Sequence, residues 1–413
     1  MEEEQPLSRL EALPLEITQS IIDLAKHHGT ADALALVSRS LRNSERACRR
    51  RVVLRYDDIP TKIGRRLSDS FPGVRKIAIK RHCTTSRKTS AAKSRDVIKN
   101  GLLDGTFIIS LELHNIPRNE LRSLCTESAQ LTTIRHLDLS GCTELSDRTL
   151  GTLLRSLGKL EELDISRCSL LTLAGILVAL KHDSLVELRA THLHTENTHQ
   201  TLGMEVSPSI RRLYFAKTVI SDDVLLSILG LAHRLVVLDL SHCSRSNRVL
   251  EAVSALDTLQ ELSLTAWNQD GVDFSLLAKM RHLQTLSLGV CWKFNSDSVR
   301  YLLELDQLSS LDLSHCDVTT DDLCLLMNKL RAPSLTLDTW AIDRDRVVKM
   351  LGELLGDSLF VYYTEKTGQH SNVLTATFLW TDKIRFVNVV YPKKAQSFIH
   401  HPPIVTVHNS WGD

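Results

Sequence analysis

The chain has 413 residues, 43% of them hydrophobic and 24% charged, an ordinary globular composition that excludes a disordered or fibrous class. Its formal charge of +1 hides an asymmetry: residues 39–99 hold 19 Lys and Arg against 5 Asp and Glu, so that segment is +14 and the remainder −13. No apolar run approaches the ~20 residues of a membrane-spanning helix, and Met1-Glu2-Glu3-Glu4 is unlike a signal peptide; a protein of the cytoplasm and/or nucleus, away from membranes, is expected.

Residues 1–55 predict a small helical domain. Leu13-Pro14 opens a helix with proline in its first turn, and Ile17, Ile21, Ile22 and Leu24 give it an apolar face. His27-His28-Gly29-Thr30 interrupts it, and Asp32 can cap a second helix in which Ala33, Leu34, Val37 and Leu41 share a side. Helices this short cannot bury a core alone and need something to pack on. The wording L-P-x-E-I followed by L-A-L-V-S-R-S-L-R is similar to the F-box, which docks substrate receptors onto the Skp adaptor of cullin–RING ubiquitin ligases. Its matching positions are Leu13, Pro14, Glu16, Ile17, Ile21, Ile22, Leu34, Leu36, Val37, Ser38, Arg39 and Leu41. No tryptophan comes after the second helix, where Cys48-Arg49-Arg50-Arg51 stands instead. The competing reading makes the same helices a cap for a repeat array.

Residues 56–107 read as a first, atypical unit. Arg49 to Tyr56 predicts a short strand leading in, Val74-Ile77-Ile79 starts an apolar frame, and a polar Ser/Thr/Lys-rich loop delays the next start to Ile108. That loop is a solvated insertion or a phosphorylatable, acid-binding one, and the first reading is preferred.

From 108 to 356 one phrase keeps returning. L-x-x-L-x-L-x-x-C occurs at Leu308-Leu311-Leu313-Cys316, Ile134-Leu137-Leu139-Cys142 and Leu160-Leu163-Ile165-Cys168. Starts fall at 108, 134, 160, 185, 210, 235, 259, 283, 308 and 332. A fixed period of this length with this spacing predicts a leucine-rich-repeat solenoid: an α/β horseshoe with a parallel sheet inside and helices outside. Ser146, Ser221 and Ser296 predict helix caps, each just ahead of an apolar run. The unit after Leu185, with a poor helix and Pro208, is the expected irregular one. The wording around the cysteines resembles the cysteine-containing class of leucine-rich repeats, which often accompanies an F-box. After Gly356 the beat stops. Residues 357–413 hold four β-type runs, read as a β-rich C-terminal cap over the open edge of the sheet.

Nine cysteines, mostly at the ninth repeat position, predict reduced thiols buried in the strand-to-helix turn. His192, His242 and His315 share the eighth position but sit two or more repeats apart, roughly 10 and 15 Å, too far for one metal. No catalytic motif, metal site or cofactor is read, and the chain is not expected to be an enzyme. Nucleic-acid binding by the basic stretch is not expected, since no aromatic interleaving accompanies it and an acidic protein partner explains it equally.

Function then lies between the leucines. Those positions face the inner sheet, and consecutive strands place them side by side. Glu112, Asp138, Glu162, Asp164 and Glu187 would form an acidic band, bordered by Arg189, Arg212 and Tyr214, with Asp239 beyond. Such a surface suits a protein substrate with a basic segment, although Asp138, Asp239 and Asp312 could instead satisfy local hydrogen bonds. The F-box resemblance implies a substrate-recognition subunit of a Skp–cullin–F-box ligase, with an adaptor, a cullin scaffold and a protein substrate as partners. The alternative is a repeat scaffold without a ubiquitin role.

Overall fold

A computed structural model describes residues 50–56, 73–81, 107–126, 131–195, 204–243 and 245–319, a few single residues between and after them, and the backbone of four strands beyond 333. The adaptor-docking positions Leu13 to Leu41, the loop after Arg81, residues 196–203 and the fourth C-terminal run lie outside the described residues. The chain divides into two compact units, Met1–Arg189 and Ala190–Asp413.

In the first unit six strands run parallel in chain order: β1 (Arg51–Arg55), β2 (Lys76–Lys80), β3 (Ser110–His114), β4 (His136–Asp138), β5 (Glu162–Asp164) and β6 (Glu187–Arg189). Strand alternation sends Leu111, Leu113, Leu137, Leu139, Leu163 and Ile165 into the core, where all are buried. Behind them α1 (Arg118–Thr126), α2 (Asp147–Leu154) and α3 (Leu173–Leu180) close each repeat. The Ser146 hydroxyl accepts the Thr149 amide, and the Thr172 hydroxyl accepts the Ala174 amide, satisfying first-turn donors that have no helical partner. Glu120 of α1 is fully buried and accepts from the Tyr56 hydroxyl and the Ile98 amide, both at 2.9 Å.

The second unit repeats the pattern with β7 (Arg212–Tyr214), α4 (Asp222–Leu231), β8 (Val237–Asp239), α5 (Asn247–Ser254), β9 (Glu261–Ser263), a 3₁₀ segment (Phe274–Lys279), β10 (Thr285–Ser287), α6 (Ser296–Leu302), β11 (Ser310–Leu313) and β12 (Ser334–Asp338). Trp267, Phe215 and Phe294 are its largest fully buried side chains, and Phe274 meets Phe294 edge-on at 5.1 Å. Ser221 caps α4 as expected, but α6 starts differently. Asn295 is its cap residue, with no side-chain cap bond, and Ser296 is its first helical one, its hydroxyl donating to the Asp322 carboxylate. After β12 come β13 (Leu359–Gly368), β14 (Ser371–Trp380) and β15 (Arg385–Pro392), antiparallel to one another, with β15 parallel to β12.

One backbone feature recurs in both units. The residue before the cysteine position has a left-handed φ: Asn115, Gly141, Arg167, His192, Lys217, His242, Ala266, Val290 and His315, between 56° and 74°. The turn points that residue's amide at the next repeat, as in Gly141 to the Ser166 carbonyl at 2.8 Å and Val290 to the Ser314 carbonyl at 2.6 Å. The three histidines that share this place are turn residues. The cysteine at the next position donates its thiol backwards, from Cys142 to the Leu113 carbonyl at 3.1 Å and from Cys316 to the Leu288 carbonyl at 3.1 Å. In one repeat Thr218 stands in the cysteine's place, its hydroxyl donating to the Ala190 carbonyl at 2.6 Å.

Candidate protein-binding face

With the leucines committed to the core, the open face of each sheet carries everything that can vary. In the first unit the register builds three rows across neighbouring strands. The first is Arg51, Lys76, Ser110, His136, Glu162 and Glu187; the second is Val53, Ala78, Glu112, Asp138, Asp164 and Arg189. The third is Arg55, Lys80 and His114. Five of the predicted carboxylates therefore do meet on four adjacent strands, with Arg189 at the end of the second row. Ser110, Glu112, His136, Asp138, Glu162, Asp164, Glu187 and Arg189 line a recess of about 200 Å³ floored by Leu137 and Leu163.

Each carboxylate is already anchored, and the anchors differ. Asp138 Oδ1 accepts the Ser140 amide at 2.8 Å, and Asp164 Oδ1 accepts the Ser166 amide at 2.8 Å, closing the turn two residues downstream. Asp138 Oδ2 lies 3.6 Å from His114 Nε2. Glu112 receives Arg51 at 3.1 Å, Glu162 lies 2.7 Å from His136 Nδ1, and Glu187, only 6% exposed, receives Arg189 Nε at 2.6 Å. A carboxylate offers about four lone-pair sites, so these contacts orient the acids without exhausting them. Burial is the chief reason that Asp164 is held above the usual carboxylate range, with the neighbouring Asp138 charge adding to it and Ser166 and Arg189 opposing.

Three of the predicted residues belong to the second unit. Arg212 and Tyr214 lie on β7, and Asp239 on β8 pairs in register with Tyr214. Asp239 Oδ1 accepts the Ser241 amide at 2.9 Å and Asp312 Oδ1 the Ser314 amide at 3.0 Å, so the recurring aspartate of L-D-L-S is a turn-closing residue wherever it occurs. Beside it runs a hydroxyl chain, Ser241 to Ser263 at 2.6 Å and Thr265 to Ser287 at 2.9 Å, ending on Asp312. This face is sparser in charge than the first unit's: Arg212, Asp239, Glu261 and Asp312 are spread among the hydroxyl-bearing residues Tyr214, Ser263, Thr285, Ser287 and Ser310.

Four cations missing from the expected band complete the first unit's face. Arg51, Arg55, Lys76 and Lys80 are exposed on β1 and β2. Extending the repeat frame back to Val74 would have placed Lys76 and Lys80 in the rows; β1, which precedes that frame, offered only its apolar alternation.

The cysteines stay out of this chemistry. Desolvation pushes the thiols of Cys142 and Cys316 up to about 12 and that of Cys291 to about 11, and raises Cys168 as well. Among the described residues no group of three or more His, Cys, Asp or Glu is placed to hold a metal, and no helix is long and apolar enough to cross a membrane.

No protein-family model matches the chain, and no curated protein does either. Among solved structures it is similar to an internalin from Listeria monocytogenes, at 15% identity over 78% of this chain and 91% of that one, with a TM-score of 0.44. It is also similar to the yeast Rad7 and Elc1 complex, at 16% identity over 83% of this chain and 82% of that one, with a TM-score of 0.48. Neither likeness bears on what this chain binds; its fold is read from its own repeats, the leucine-rich-repeat arrangement of strand, turn and helix in each unit.

Proposed function

We propose that the chain is a non-catalytic receptor that holds a protein partner on the open face of Met1–Arg189, a basic side chain of the partner entering the recess between β3 and β6. The observation that carries this is the register of Glu112, Asp138 and Asp164 on three neighbouring strands, with Glu187 buried in the same recess. Like charges side by side on a sheet cost stability, and a structure that keeps four or five of them around one hollow has a use for a cation there.

Under the F-box resemblance of residues 8–42, the receptor serves a Skp–cullin–F-box ubiquitin ligase. Leu13, Pro14, Ile17, Ile21 and Ile22 would meet the Skp-type adaptor, and the cullin scaffold would bring the transferring enzyme to the bound substrate. The chain itself then needs no catalytic residue, cofactor or metal, and works in the cytoplasm and/or nucleus. Strands β13–β15 serve as the C-terminal cap, since β15 supplies β12 with a partner along its outer edge.

Co-purification of the full chain with the Skp adaptor tests the ligase role, with Leu13→Ala/Pro14→Ala as the control; adaptor bound by the wild type and lost in the control is expected. No adaptor recovered with the wild type would leave the plain scaffold. Asp138→Asn/Asp164→Asn/Glu187→Gln tests the face separately. Captured partners should fall away from that variant while adaptor binding persists, and partners retained at wild-type levels would remove the face from substrate binding.

A further inference from the structure

Resting on the reading of that face as a protein-binding surface, a second feature specifies what sort of segment it takes. The face is bipolar. Arg51, Arg55, Lys76 and Lys80 occupy the two strands that precede the carboxylates, and they are not scattered. Val53 lies in register with Ala78, so it stands between Arg51 and Arg55 along its own strand and opposite the span from Lys76 to Lys80 on the next. Val53 is 55% exposed, an apolar side chain held in solvent at the centre of four cations. Ala78 beside it is fully buried, and Arg51 on β1 reaches past β2 to Glu112 on β3 at 3.1 Å. Among the described residues that bridge joins the basic corner to the acidic recess, while Arg55, Lys76 and Lys80 are exposed.

An exposed apolar side chain ringed by cations is the complement of an apolar side chain flanked by carboxylates. The recess, three strands on, is the complement of a single cation. Strands lie about 4.8 Å apart, so the centres of the two subsites are separated by about 14 Å, or about four residues of extended chain. We infer that the partner segment is itself bipolar: an acidic stretch containing an apolar residue seats on Arg51, Val53, Arg55, Lys76 and Lys80, and a Lys or Arg about four residues away enters the recess lined by Asp138, Asp164 and Glu187. The pairing also fixes the orientation, since the reversed placement sets cation on cation and carboxylate on carboxylate.

The probes are fluorescein-labelled synthetic peptides titrated onto the full chain and read by anisotropy: Glu-Leu-Glu joined by about two Gly/Ser residues to Lys-Lys, which sets the first Lys about four residues from the Leu, and each half alone. The joined peptide should bind at least about tenfold more tightly than the basic half, because the second contact becomes intramolecular. Lys76→Ala/Lys80→Ala, both at exposed positions, should reduce the joined peptide to the affinity of the basic half while leaving the basic half unweakened. Arg55→Ala/Lys80→Ala should do the same. A basic half that binds, with no gain from joining the acidic half or no loss in either cation variant, overturns this inference alone. A basic half that does not bind removes the recess reading on which it rests. Salt-sensitive dimerisation of the chain, abolished by Lys76→Ala/Lys80→Ala, would make a second copy the occupant and overturn the bipolar peptide.

Discussion

Asp164→Asn should stabilise the fold and weaken the site in one step. The asparagine keeps a carbonyl oxygen for the Ser166 amide, now accepted at 2.8 Å, so the turn survives. What it removes is a half-buried charge beside Asp138, its register partner on the next strand. Two unit charges at about 5 Å interact by about 0.8 kcal/mol in water and about 3 kcal/mol at the effective dielectric of a protein surface. Arg189 opposes part of this and salt screens more, so a gain of about 1 kcal/mol in unfolding free energy at neutral pH is expected. A ligand cation at a similar distance loses a similar amount, about fivefold in affinity. The pH dependence has a definite sign. The Asp164 carboxyl titrates above its ordinary value in the folded chain, so the folded state binds its proton more tightly than the unfolded one. The penalty is present above that raised value and relieved as pH falls through it. The advantage of the variant should therefore shrink between neutral pH and the ordinary carboxylate range near 3.8. Urea unfolding across that range and anisotropy titration with a Lys-Lys peptide measure both effects. Asp239→Asn is the internal control: its register partners are Tyr214 and Ser263, so neither quantity should move by more than a few tenths of a kcal/mol. A destabilised Asp164→Asn, or one that binds the peptide as well as wild type, would refute the assignment of this charge to binding.

Glu120→Ala takes an acceptor from the Tyr56 hydroxyl and the Ile98 amide in a buried setting and should cost about 2–4 kcal/mol in urea unfolding, with Glu120→Gln losing clearly less. Gly141→Ala should cost about 1–2 kcal/mol, because its φ of 74° disfavours a side chain and the new Cβ would lie 2.7 Å from Asn115 Oδ1. Adding Asn115→Ala should recover only the part due to that contact. Thr218→Cys should be tolerated within about 1 kcal/mol, since a thiol makes the same bond in other repeats, whereas Thr218→Val should cost about 1–3 kcal/mol. Iodoacetamide at about pH 8 should leave Cys142, Cys168, Cys291 and Cys316 unmodified in the folded chain, as read by peptide mass spectrometry, and label them once urea unfolds it.

The repeats are legible in the sequence because each leucine position has a single job: a side chain buried at every turn of a 24- to 26-residue period leaves a pattern that nothing else produces. The strand register comes from the same spacing, which is enough to set Glu112, Asp138 and Asp164 side by side. Other positions carry two jobs, and a sequence does not say which dominates. His192, His242 and His315 share a column because the backbone turns left-handed there, and Lys217, Ala266 and Val290 fill the same place with no common chemistry. The turn is dictated by the bond to the next repeat, not by the side chain, and so leaves no compositional trace. Asp138 and Asp312 look identical in L-D-L-S and make the same bond to a downstream amide, yet only Asp138 has acidic neighbours on both sides.

That difference locates function in this architecture more closely than any motif does. The turn-closing aspartate belongs to the repeat and comes with its backbone partner, so its presence alone argues nothing about binding. What the fold does not require is the company it keeps. In the second unit Asp239 and Asp312 sit among tyrosine, serine and threonine, and Asp312 also accepts from the Ser287 and Ser314 hydroxyls. In the first unit the same residue is set against Glu112, Glu162 and Glu187, and one of these acids is buried. Neutral residues at 112, 162 and 187 would serve the strands as well and relieve the repulsion. Their presence beside Arg51, Lys76 and Lys80, which a simple neutralising role would have drawn into further pairs, is what a surface built to receive both signs of charge requires.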